Sequence, residues 1–522
     1  MTTEYDYIIV GSGFGGSVSA LRLSQKGYKV LVVEKGKWFK ANDFPKTNWN
    51  FRKWLWMPRL RFFGIMKLSV FRHIAVISGT GVGGGSLVYA NTLPTPKSAF
   101  FKSGSWSDLN DWENELKPYY EEALRMLGAT KNPILFDGDL GLKKMSEDLD
   151  IADRFDATRV AVFFGTPNQT QKDPYFDGEG PERSGCNFCG ACMTGCRYNA
   201  KNTLDKNYLY LAQKNGAEIL AENEVYDVKP INVADGSEGY EAYIKNSTKF
   251  FKKHQKIKVK GVIFSGGVLG TVKLLLKLKL SSLPNLSDKL GEDIRSNNET
   301  LVSVSRLDKD KNYSKGIAIG SILNTDDNSH LEICRYGEGS NAWKLVHLPY
   351  VTGSNVISRL FKIVAKFLKN PVDYFKIYFL NGWAKNTVVL LFMQTLDSTL
   401  KFKRNVFGQM TSTVSTGLAP TPFIPESKAL VKAYRKAING VSTSFALETL
   451  AGIPSTAHIL GGAVMGKDPA TGVIDKDNNV FGYQNMLVID GAMISANPGV
   501  NPSLSITAIA ERAMDQIPNK TN

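Results

Sequence analysis

The sequence contains little histidine, little cysteine and no long apolar run. Five of its 522 residues are histidine and five are cysteine. The most apolar stretches, such as 388–393, are far shorter than the roughly 20 residues that a membrane-spanning helix needs. The amino terminus has no basic region ahead of its first apolar run, so it does not resemble a signal peptide. We therefore expect a cytoplasmic protein without membrane-spanning helices, whose thiols stay reduced.

Acidic residues are scarce relative to basic ones. Lysine and arginine number 64 against 49 aspartates and glutamates, which gives a net charge of +15. Most of the surplus lies in two aromatic-rich segments: residues 37–73 hold nine basic residues and one acid, and residues 355–385 hold six and one. This pattern is typical of a segment lying on the anionic inner face of a membrane, and equally of a lid with solvated charges. Nucleic acid binding is disfavoured, because no recognised nucleic-acid-binding signature accompanies the charge.

The first forty residues contain a dinucleotide-binding pattern. Residues 5–10 read as a buried strand, followed by a glycine-rich loop before a helical pattern: Gly11, Gly13, Phe14 and Gly16. Gly11 allows a tight turn, Gly13 lets the backbone approach a pyrophosphate, and Gly16 lets helix and strand pack closely. Glu34, at the end of the next strand, is placed to accept hydrogen bonds from a ribose diol. The order of strand, loop, helix and terminal acid predicts a Rossmann-like site.

Three further segments favour a flavin dinucleotide over a nicotinamide one. The glycine-rich stretches 79–86 and 261–270 predict backbone that lies against a flat ligand, because side chains there would collide with it. The strand-like segment 486–491 ends in Asp490 and Gly491. A single cofactor contacted by several segments distant in sequence is typical of large flavin-binding folds.

These motifs resemble those of the glucose–methanol–choline (GMC) oxidoreductases. The matching blocks are GSGFGG at 11–16, GTGVGGGSLVYANTL at 79–93, GGVLGTVKLL at 266–275 and the run from His458 through GVNPSLSITAIAER at 499–512. Within the family, AKNTLDKNYLYLA at 200–212 resembles the bacterial cholesterol-oxidase-like branch. The resemblance implies an α/β fold, in which a Rossmann-like FAD-binding domain is joined to a substrate-binding domain built on an antiparallel sheet.

The resemblance also implies domain limits and cofactor contacts. The FAD-binding domain would comprise residues 1–290 and 456–522, with a cysteine-rich loop at 184–200, and the substrate-binding domain residues 291–455, with a basic and aromatic lid at 355–385. Glu34 would contact the adenosine ribose of an extended FAD. The other implied contacts are Val225 at the adenine, Gly85 and Asn91 at the isoalloxazine, and Asp490, Gly491 and Asn501 on the other side of the flavin. Gly83, in the same glycine-rich stretch as Gly85, is also expected to contact the cofactor. The family often has asparagine at the position of Tyr89, which is a departure here.

His458 is the predicted catalytic base. Flavin-dependent alcohol oxidation needs a group that accepts the hydroxyl proton, and histidine suits this role near neutral pH. His458 precedes Gly461-Gly462, and the resemblance places it at the flavin beside Asn501, where an imidazole and an amide could hold a hydroxyl oxygen between them. A hydrogen-bonded core histidine is the alternative.

Glu332 is the third predicted catalytic residue. It aligns, by resemblance, with the glutamate that moves a proton in cholesterol oxidases when the steroid double bond isomerises. A carboxylate in the apolar segment 329–334 is costly unless it is paired or neutralised. A structural, ion-paired acid is an equal alternative.

Four of the five cysteines form a compact motif. Cys186, Cys189, Cys192 and Cys196 have the spacing C-x2-C-x2-C-x3-C, which is that of an iron–sulfur loop, while zinc, short disulfides and free thiols are alternatives. Some bacterial sugar dehydrogenases of the resembled family carry a cluster near this point in the chain, although the cysteine spacing differs. We therefore predict an iron–sulfur cluster here.

These observations together predict an FAD-dependent enzyme that oxidises the hydroxyl of an apolar alcohol, a sterol or a long-chain alcohol. Its electrons would pass through the cluster to a protein or quinone acceptor. The alternatives are an oxygen-using, cholesterol-oxidase-like enzyme without a cluster, and a flavin lyase of the fatty-acid photodecarboxylase kind. The pair His458 and Asn501 argues against the lyase, which would not need it.

Overall fold

Two seven-stranded sheets organise the chain in the computed structural model, which describes residues 4–307, 310–379, 382–395 and 398–521. The first sheet is mixed and carries the glycine-rich loop. Its strands, in spatial order, are Glu218–Leu220, Val30–Val33, Tyr5–Val10, His254–Phe264, Tyr240–Asn246 and Asn223–Pro230, and Met486–Val488 also pairs with His254–Phe264. Together with its helices it forms the predicted Rossmann-like unit.

The parallel centre of this sheet explains its apolar sequences. Strand Tyr5–Val10 runs parallel to both neighbours, with Ile8 opposite Leu31 on one side and Val262 on the other. All four residues of Val30–Val33 are buried, as expected when helices cover both faces of a parallel sheet. The helices of this half of the molecule are Phe14–Gln25, Trp112–Met126, Tyr208–Lys214, Val268–Leu278 and Ser503–Asp515.

The second sheet is antiparallel and lies beside the first. Its strands, in spatial order, are His347–Pro349, Val441–Phe445, Thr300–Ser305, Thr387–Gln394, Ser329–Cys334, Ile319–Asn324 and Phe155–Ala157. Every residue of the central strand Thr387–Gln394 is buried. Its alternate residues Val388, Leu390 and Phe392 pack with helices Asp137–Asp148 and Pro425–Ile438, while Val389 and Leu391 belong to an apolar cluster on the opposite face. The two sheets confirm the predicted fold class.

The antiparallel sheet and its core include segments from outside the expected substrate-binding range 291–455. Helix Asp137–Asp148 and the edge strand Phe155–Ala157 both belong to the second sheet and its core, although the expected limits assign them to the FAD-binding half. Conversely, strand Thr399–Arg404 places Leu400 and Phe402 in the core of the first half. Local sequence patterns do not report such exchanges, because they depend on contacts between segments far apart in the chain.

The basic and aromatic segment 355–385 is helical. It contains the helices Val356–Lys369, Pro371–Phe379 and Trp383–Asn386, while positions 380 and 381 lie outside the described residues. No helix in the described ranges is both long and apolar enough to cross a membrane.

Smaller elements complete the chain. The short helices are Phe51–Trp54 and Ser98–Phe101, and a π-helical turn spans Leu447–Ala451. In a three-stranded sheet, Ala75–Gly79 lies between Met66–Val70 and Ser455–Thr456. The two-stranded sheets pair Thr399–Arg404 with Met410–Thr416, Trp56–Met57 with Phe62–Phe63, Ala129–Lys131 with Arg159–Ala161, and Thr170–Gln171 with Arg183–Ser184.

Candidate active site

A cavity of about 680 Å³ lies where the two sheets meet. One end is lined by the glycine-rich loop and by the predicted adenine contact Val225, and the other by apolar residues of the antiparallel sheet, such as Leu301 and Val389. His458 and Asn501 lie on its wall as well. The cavity therefore joins the predicted cofactor site to the predicted catalytic residues.

The glycine-rich loop leaves space for a ligand at one position and packs at two others. A Cβ atom on Gly13 would have nothing within 4 Å, whereas one on Gly11 would lie 2.3 Å from the carbonyl oxygen of Ser265 and one on Gly16 2.2 Å from that of Gly11. Helix Phe14–Gln25 begins directly after Gly13 and includes Gly16, so the positive end of its dipole lies at the cavity wall. The open side of Gly13 and this helix terminus suit a pyrophosphate.

Glu34 lies at the same end of the cavity. One carboxylate oxygen accepts hydrogen bonds from the Ser12 hydroxyl (2.8 Å) and amide (3.2 Å), and the other accepts from the Gly36 amide (2.8 Å). These contacts hold a buried carboxylate on the cavity wall. A carboxylate oxygen has lone pairs for more than one donor, so this position fits the expected contact with a ribose diol.

The other glycine-rich segments also reach the cavity. Gly85 lines it, and so does Gly267, where a Cβ atom would have nothing within 4 Å. Gly491 and Asp490 form the wall near the carboxyl end of the chain. Asp490 accepts hydrogen bonds from the Thr271 hydroxyl (2.5 Å) and the Ala492 amide (2.7 Å), and burial raises its pKa to about 6. These backbone-lined walls fit a flat cofactor such as FAD.

Two expected cofactor residues do not lie on the wall. Gly83 lies behind the lining and donates its amide to Ser12 Oγ at 3.2 Å. Asn91 is fully buried in the left-handed region (φ 73°) and is absent from the lining, whereas its neighbours Ala90 and Thr92 are present. Tyr89, at the family's usual asparagine position, lines the cavity and donates its hydroxyl to the Asn202 carbonyl at 2.8 Å.

The predicted catalytic residues come together at the cavity wall: His458 and Asn501 line the cavity, whereas Glu332 is fully buried behind Asn501. Asn501 Nδ2 lies 3.3 Å from His458 Nε2 and donates to Glu332 Oε2 at the same distance. Asn501 Oδ1 and Glu332 Oε1 are buried without a partner in the described structure. An imidazole, an amide and a carboxyl with free polar atoms can together bind a hydroxyl group and move its proton.

Glu299 completes this group and was not predicted from the sequence. Its Oε2 lies 2.9 Å from Nδ1 of His458. It follows the polar run Asn297-Asn298, directly before strand Thr300–Ser305, and no motif marks it. Asn297 donates to the Val500 carbonyl at 2.8 Å, which holds this run against the segment that carries Asn501. The only signal in the sequence was an acid directly before an apolar strand pattern, and many structural acids have the same setting.

Burial and the neighbouring charges shift the titration of these groups. Burial raises the pKa of Glu332 to about 7. For His458, burial opposes the charged form, but the Glu299 carboxylate outweighs it, and the pKa of His458 is raised above its ordinary value. Burial lowers the pKa of His330, whose Nε2 lies 3.8 Å from Glu332 Oε1, to about 3. His330 is therefore neutral, and Glu332 can exchange a proton near neutral pH.

The wall opposite the glycine segments is apolar. It is formed by side chains of the antiparallel sheet and by residues next to it: Leu301, Ile319, Tyr336, Val389, Leu391, Phe445 and Met193. Cys334 also faces the cavity, on the same strand as Glu332. Such walls bind an apolar body and leave the polar group at His458 and Asn501 to orient its hydroxyl.

The cysteine-rich loop lies behind this wall. Cys186, Cys189, Cys192 and Cys196 line a separate cavity of about 20 Å³, enough for a water molecule. Among the described residues, no three histidine, cysteine, aspartate or glutamate side chains are arranged to hold a metal ion. The structure therefore does not support the predicted iron–sulfur cluster.

The same loop supports the active-site cavity. Met193, between two of the cysteines, lines that cavity. Buried Lys201 donates to the carbonyl oxygens of Leu87 (3.0 Å), Tyr89 (2.9 Å) and Cys192 (2.8 Å). Lys201 thus ties the cysteine-rich loop to the glycine-rich segment that forms the cavity wall.

Comparisons with known proteins show which family and which proteins the chain is similar to. A family profile described as GMC oxidoreductase matches residues 394–510, and one described as an NAD(P)-binding Rossmann-like domain matches residues 9–38. A cholesterol oxidase of Acinetobacter baumannii is 46% identical over 527 residues, which cover 99% of this chain and 95% of that protein. A cholesterol oxidase of Mycobacterium tuberculosis is 41% identical over 546 residues, which cover 100% of this chain and 92% of that protein.

More distant proteins share the overall organisation. A long-chain-alcohol oxidase of Arabidopsis thaliana is 24% identical, over 99% of this chain and 68% of that protein. The solved structure of pyridoxine 4-oxidase from Mesorbium loti superposes with a TM-score of 0.61 at 13% identity, over 98% of both chains. The last likeness shows a shared fold.

Proposed function

This chain belongs to the GMC oxidoreductase family, and on that premise we propose that it oxidises the 3-hydroxyl group of a sterol, with oxygen as the electron acceptor. It is an FAD-dependent oxidoreductase that acts on CH–OH groups. The observation that carries the finer proposal is the position of His458 Nε2, 3.3 Å from Asn501 Nδ2, where a largely apolar cavity meets the glycine-lined end.

His458 and Asn501 would hold the substrate hydroxyl. In the neutral imidazole, Nδ1–H donates to Glu299, which leaves the Nε2 lone pair facing the cavity. Nε2 accepts the hydroxyl proton, and the Glu299 carboxylate stabilises the resulting imidazolium. Asn501 Nδ2 donates to the hydroxyl oxygen and fixes its direction. FAD, held by Gly13, Glu34, Gly85 and Gly491, would supply the acceptor for the hydride that leaves the carbinol carbon.

The apolar wall supports a sterol or long-chain alcohol as the substrate. Leu301, Val389 and Leu391 offer no hydrogen bonds, whereas a sugar would need several polar groups around its ring. Relatives that share 41% and 46% of this sequence are cholesterol oxidases, and a relative at 24% is a long-chain-alcohol oxidase. The higher identities favour the sterol.

Glu332 supports a second step on a sterol. Its pKa near 7 lets the same carboxyl both donate and accept a proton near neutral pH. After a homoallylic alcohol becomes a ketone, Glu332 could take a proton from the carbon between the carbonyl and the double bond and return it to the far end of that double bond. The Glu332→Gln variant should then release the unconjugated ketone.

Oxygen is the proposed electron acceptor because the relatives at 46% and 41% identity are cholesterol oxidases. Two other functions are weaker. A relay through an iron–sulfur cluster has no support in the arrangement of the four cysteines among the described residues, and a flavin lyase would leave the His458, Glu299 and Asn501 group without a role.

An anaerobic substrate screen tests the proposal. The purified, FAD-loaded protein is mixed with cholesterol, hexadecanol or glucose in detergent, and flavin absorbance is followed before air is admitted. We expect cholesterol to bleach the flavin fastest and air to restore the absorbance with formation of hydrogen peroxide. Faster bleaching by hexadecanol would overturn the sterol proposal, and failure of oxygen to restore absorbance would overturn the acceptor.

A further inference from the structure

Two consecutive helices present an apolar face to solvent. On Val356–Lys369 the exposed apolar residues recur every three or four positions, and Pro371–Phe379 continues the pattern. Ile357 is 68% exposed, Phe361 73%, Leu368 76% and Phe379 70%. Contiguous exposed apolar surface of this kind marks a site that binds another apolar surface.

The polar side of the first helix is turned towards the protein. The Arg359 guanidinium is buried and donates to the carbonyl oxygens of Gly353 (2.7 Å) and Leu450 (2.8 Å). Lys366 donates to the Tyr350 carbonyl and Lys362 to that of Thr352 at 2.7 Å. A helix that faces water has the opposite arrangement, with cations outward and apolar residues inward. Hydrogen bonds thus attach the helix to the body while its apolar stripe stays outside.

The basic and aromatic segment 37–73 contacts the region beneath these helices. The Trp54 ring lies 5.3 Å from that of Trp343, and Trp343 packs in one apolar cluster with Tyr374 and Ile377 of the second helix. Beside this contact, Phe51 is 39% exposed and Leu345 63%. The two segments that are separate in sequence are therefore packed together through Trp343.

The charge around this surface is positive. Lys369 and Lys376 are exposed at the ends of the two helices, and Asp373 is the single acid between positions 356 and 379. Residues 37–73, which reach this region through Trp54, are rich in basic residues, although one of these, Lys67, lines the active-site cavity instead. Apolar side chains bordered by cations suit an anionic lipid surface, where each cation near the headgroups adds to binding.

We propose that the apolar face formed by these two helices docks on an anionic lipid bilayer, from which the active site takes its substrate. The second part rests on the proposed function, because sterols and long-chain alcohols partition into bilayers. Tyr336 belongs to the same apolar cluster as Tyr374 and Ile377 and also lines the active-site cavity. Docking through these helices would therefore place the cavity wall close to the bilayer.

Vesicle co-sedimentation of the full, FAD-loaded protein tests the docking. The vesicles contain phosphatidylcholine alone or with phosphatidylglycerol, and no sterol. We expect binding to the anionic vesicles, and a loss of about 10-fold or more in the triple variant Ile357→Ser, Phe361→Ser, Leu368→Ser. Leu280→Ser is the matched control, since Leu280 is as exposed (76%) as Leu368 but lies after helix Val268–Leu278. The single variants Phe361→Ser and Leu368→Ser should each lose part of the binding.

The outcomes separate docking from activity. Flavin reduction by detergent-dispersed cholesterol should be unchanged in the triple variant, because none of the three residues lines the cavity. Unchanged vesicle binding in the triple variant overturns the proposal. A wild-type protein that does not bind vesicles also overturns it. If that protein is a dimer and the triple variant is a monomer, a second copy of the chain covers the face instead. Vesicle binding without flavin reduction by any alcohol would leave docking standing and refute the proposed function.

Discussion

Nδ1 of His458 lies 2.9 Å from Oε2 of Glu299, and both side chains are at least nine-tenths buried. This contact fixes the imidazole with its other nitrogen towards Asn501 and the cavity. It also places a negative charge where the protonated imidazole needs it. Glu299 is therefore a positioning residue that acts through His458.

Glu299→Gln should change the pH dependence of catalysis as well as its rate. A base must be neutral to accept a proton, so activity rises as the pH passes the pKa of His458. The Glu299 carboxylate raises that pKa, and an uncharged amide would not. We therefore expect the acid limb of the kcat/KM profile to move to lower pH, with kcat reduced about 10-fold or more.

Stopped-flow flavin reduction across the pH range measures this effect. Glu292→Gln is a suitable control, because Glu292 pairs with Lys401 (2.7 Å) away from the cavity wall. A variant with lower kcat but an unmoved acid limb would show that Glu299 supports the fold and not the base.

His458→Ala should lower the rate of flavin reduction by about 10²-fold or more, because the hydroxyl proton loses its acceptor. FAD binding should persist, since the glycine-rich segments are untouched. His254→Ala is the matched control: His254 is exposed at the start of a strand and contacts Tyr226 Oη at 3.2 Å. Reduction at the wild-type rate in His458→Ala would assign the proton to another group.

How far the sequence predicts this site depends on the kind of signal that each residue carries. Gly13 and Asp490 sit in motifs with local strand and helix context, and both lie on the cavity wall. Glu299 has no such motif, because its role arises from a contact with His458, 159 positions later. Strand Phe155–Ala157 joins the second sheet for a similar reason: its partner Ile319–Asn324 is distant in the chain. The cysteine spacing predicted ligands, but spacing alone does not determine how the side chains are arranged.

Gly13→Val should abolish FAD binding while the fold is retained. A Cβ atom there meets no protein atom within 4 Å, so the valine methyl groups would extend into the space assigned to the pyrophosphate. Gly13→Ala should weaken binding less, so the two variants form a graded series. Flavin absorbance after reconstitution, with circular dichroism as the check on folding, measures the effect. Full FAD occupancy in Gly13→Val would move the pyrophosphate to another part of the cavity.

Glu332→Gln should change stability in a pH-dependent way. The pKa of this carboxyl is about 7 in the folded protein against an ordinary value of 4.5, because burial disfavours its charged form. Its contribution to stability is therefore present below about pH 4.5 and lost as the pH rises through about 7. Glutamine cannot ionise, so the Tm of the variant relative to wild type should increase between pH 5 and pH 8. A difference in Tm that does not vary with pH would show that Glu332 titrates normally.

Purified protein should contain FAD but no stoichiometric iron, sulfide or zinc. The four thiols of Cys186, Cys189, Cys192 and Cys196 line a cavity of about 20 Å³, and Lys201 already holds the Cys192 carbonyl at 2.8 Å. Protein prepared anaerobically is the fair sample, because oxygen destroys exposed clusters. Elemental analysis, sulfide assay and electron paramagnetic resonance of that sample measure the outcome. The visible spectrum of Cys186→Ser should then be that of a flavin alone, and so should that of the matched variant Cys334→Ser. Stoichiometric iron and sulfide that Cys186→Ser removes would restore the electron relay and replace oxygen as the proposed acceptor.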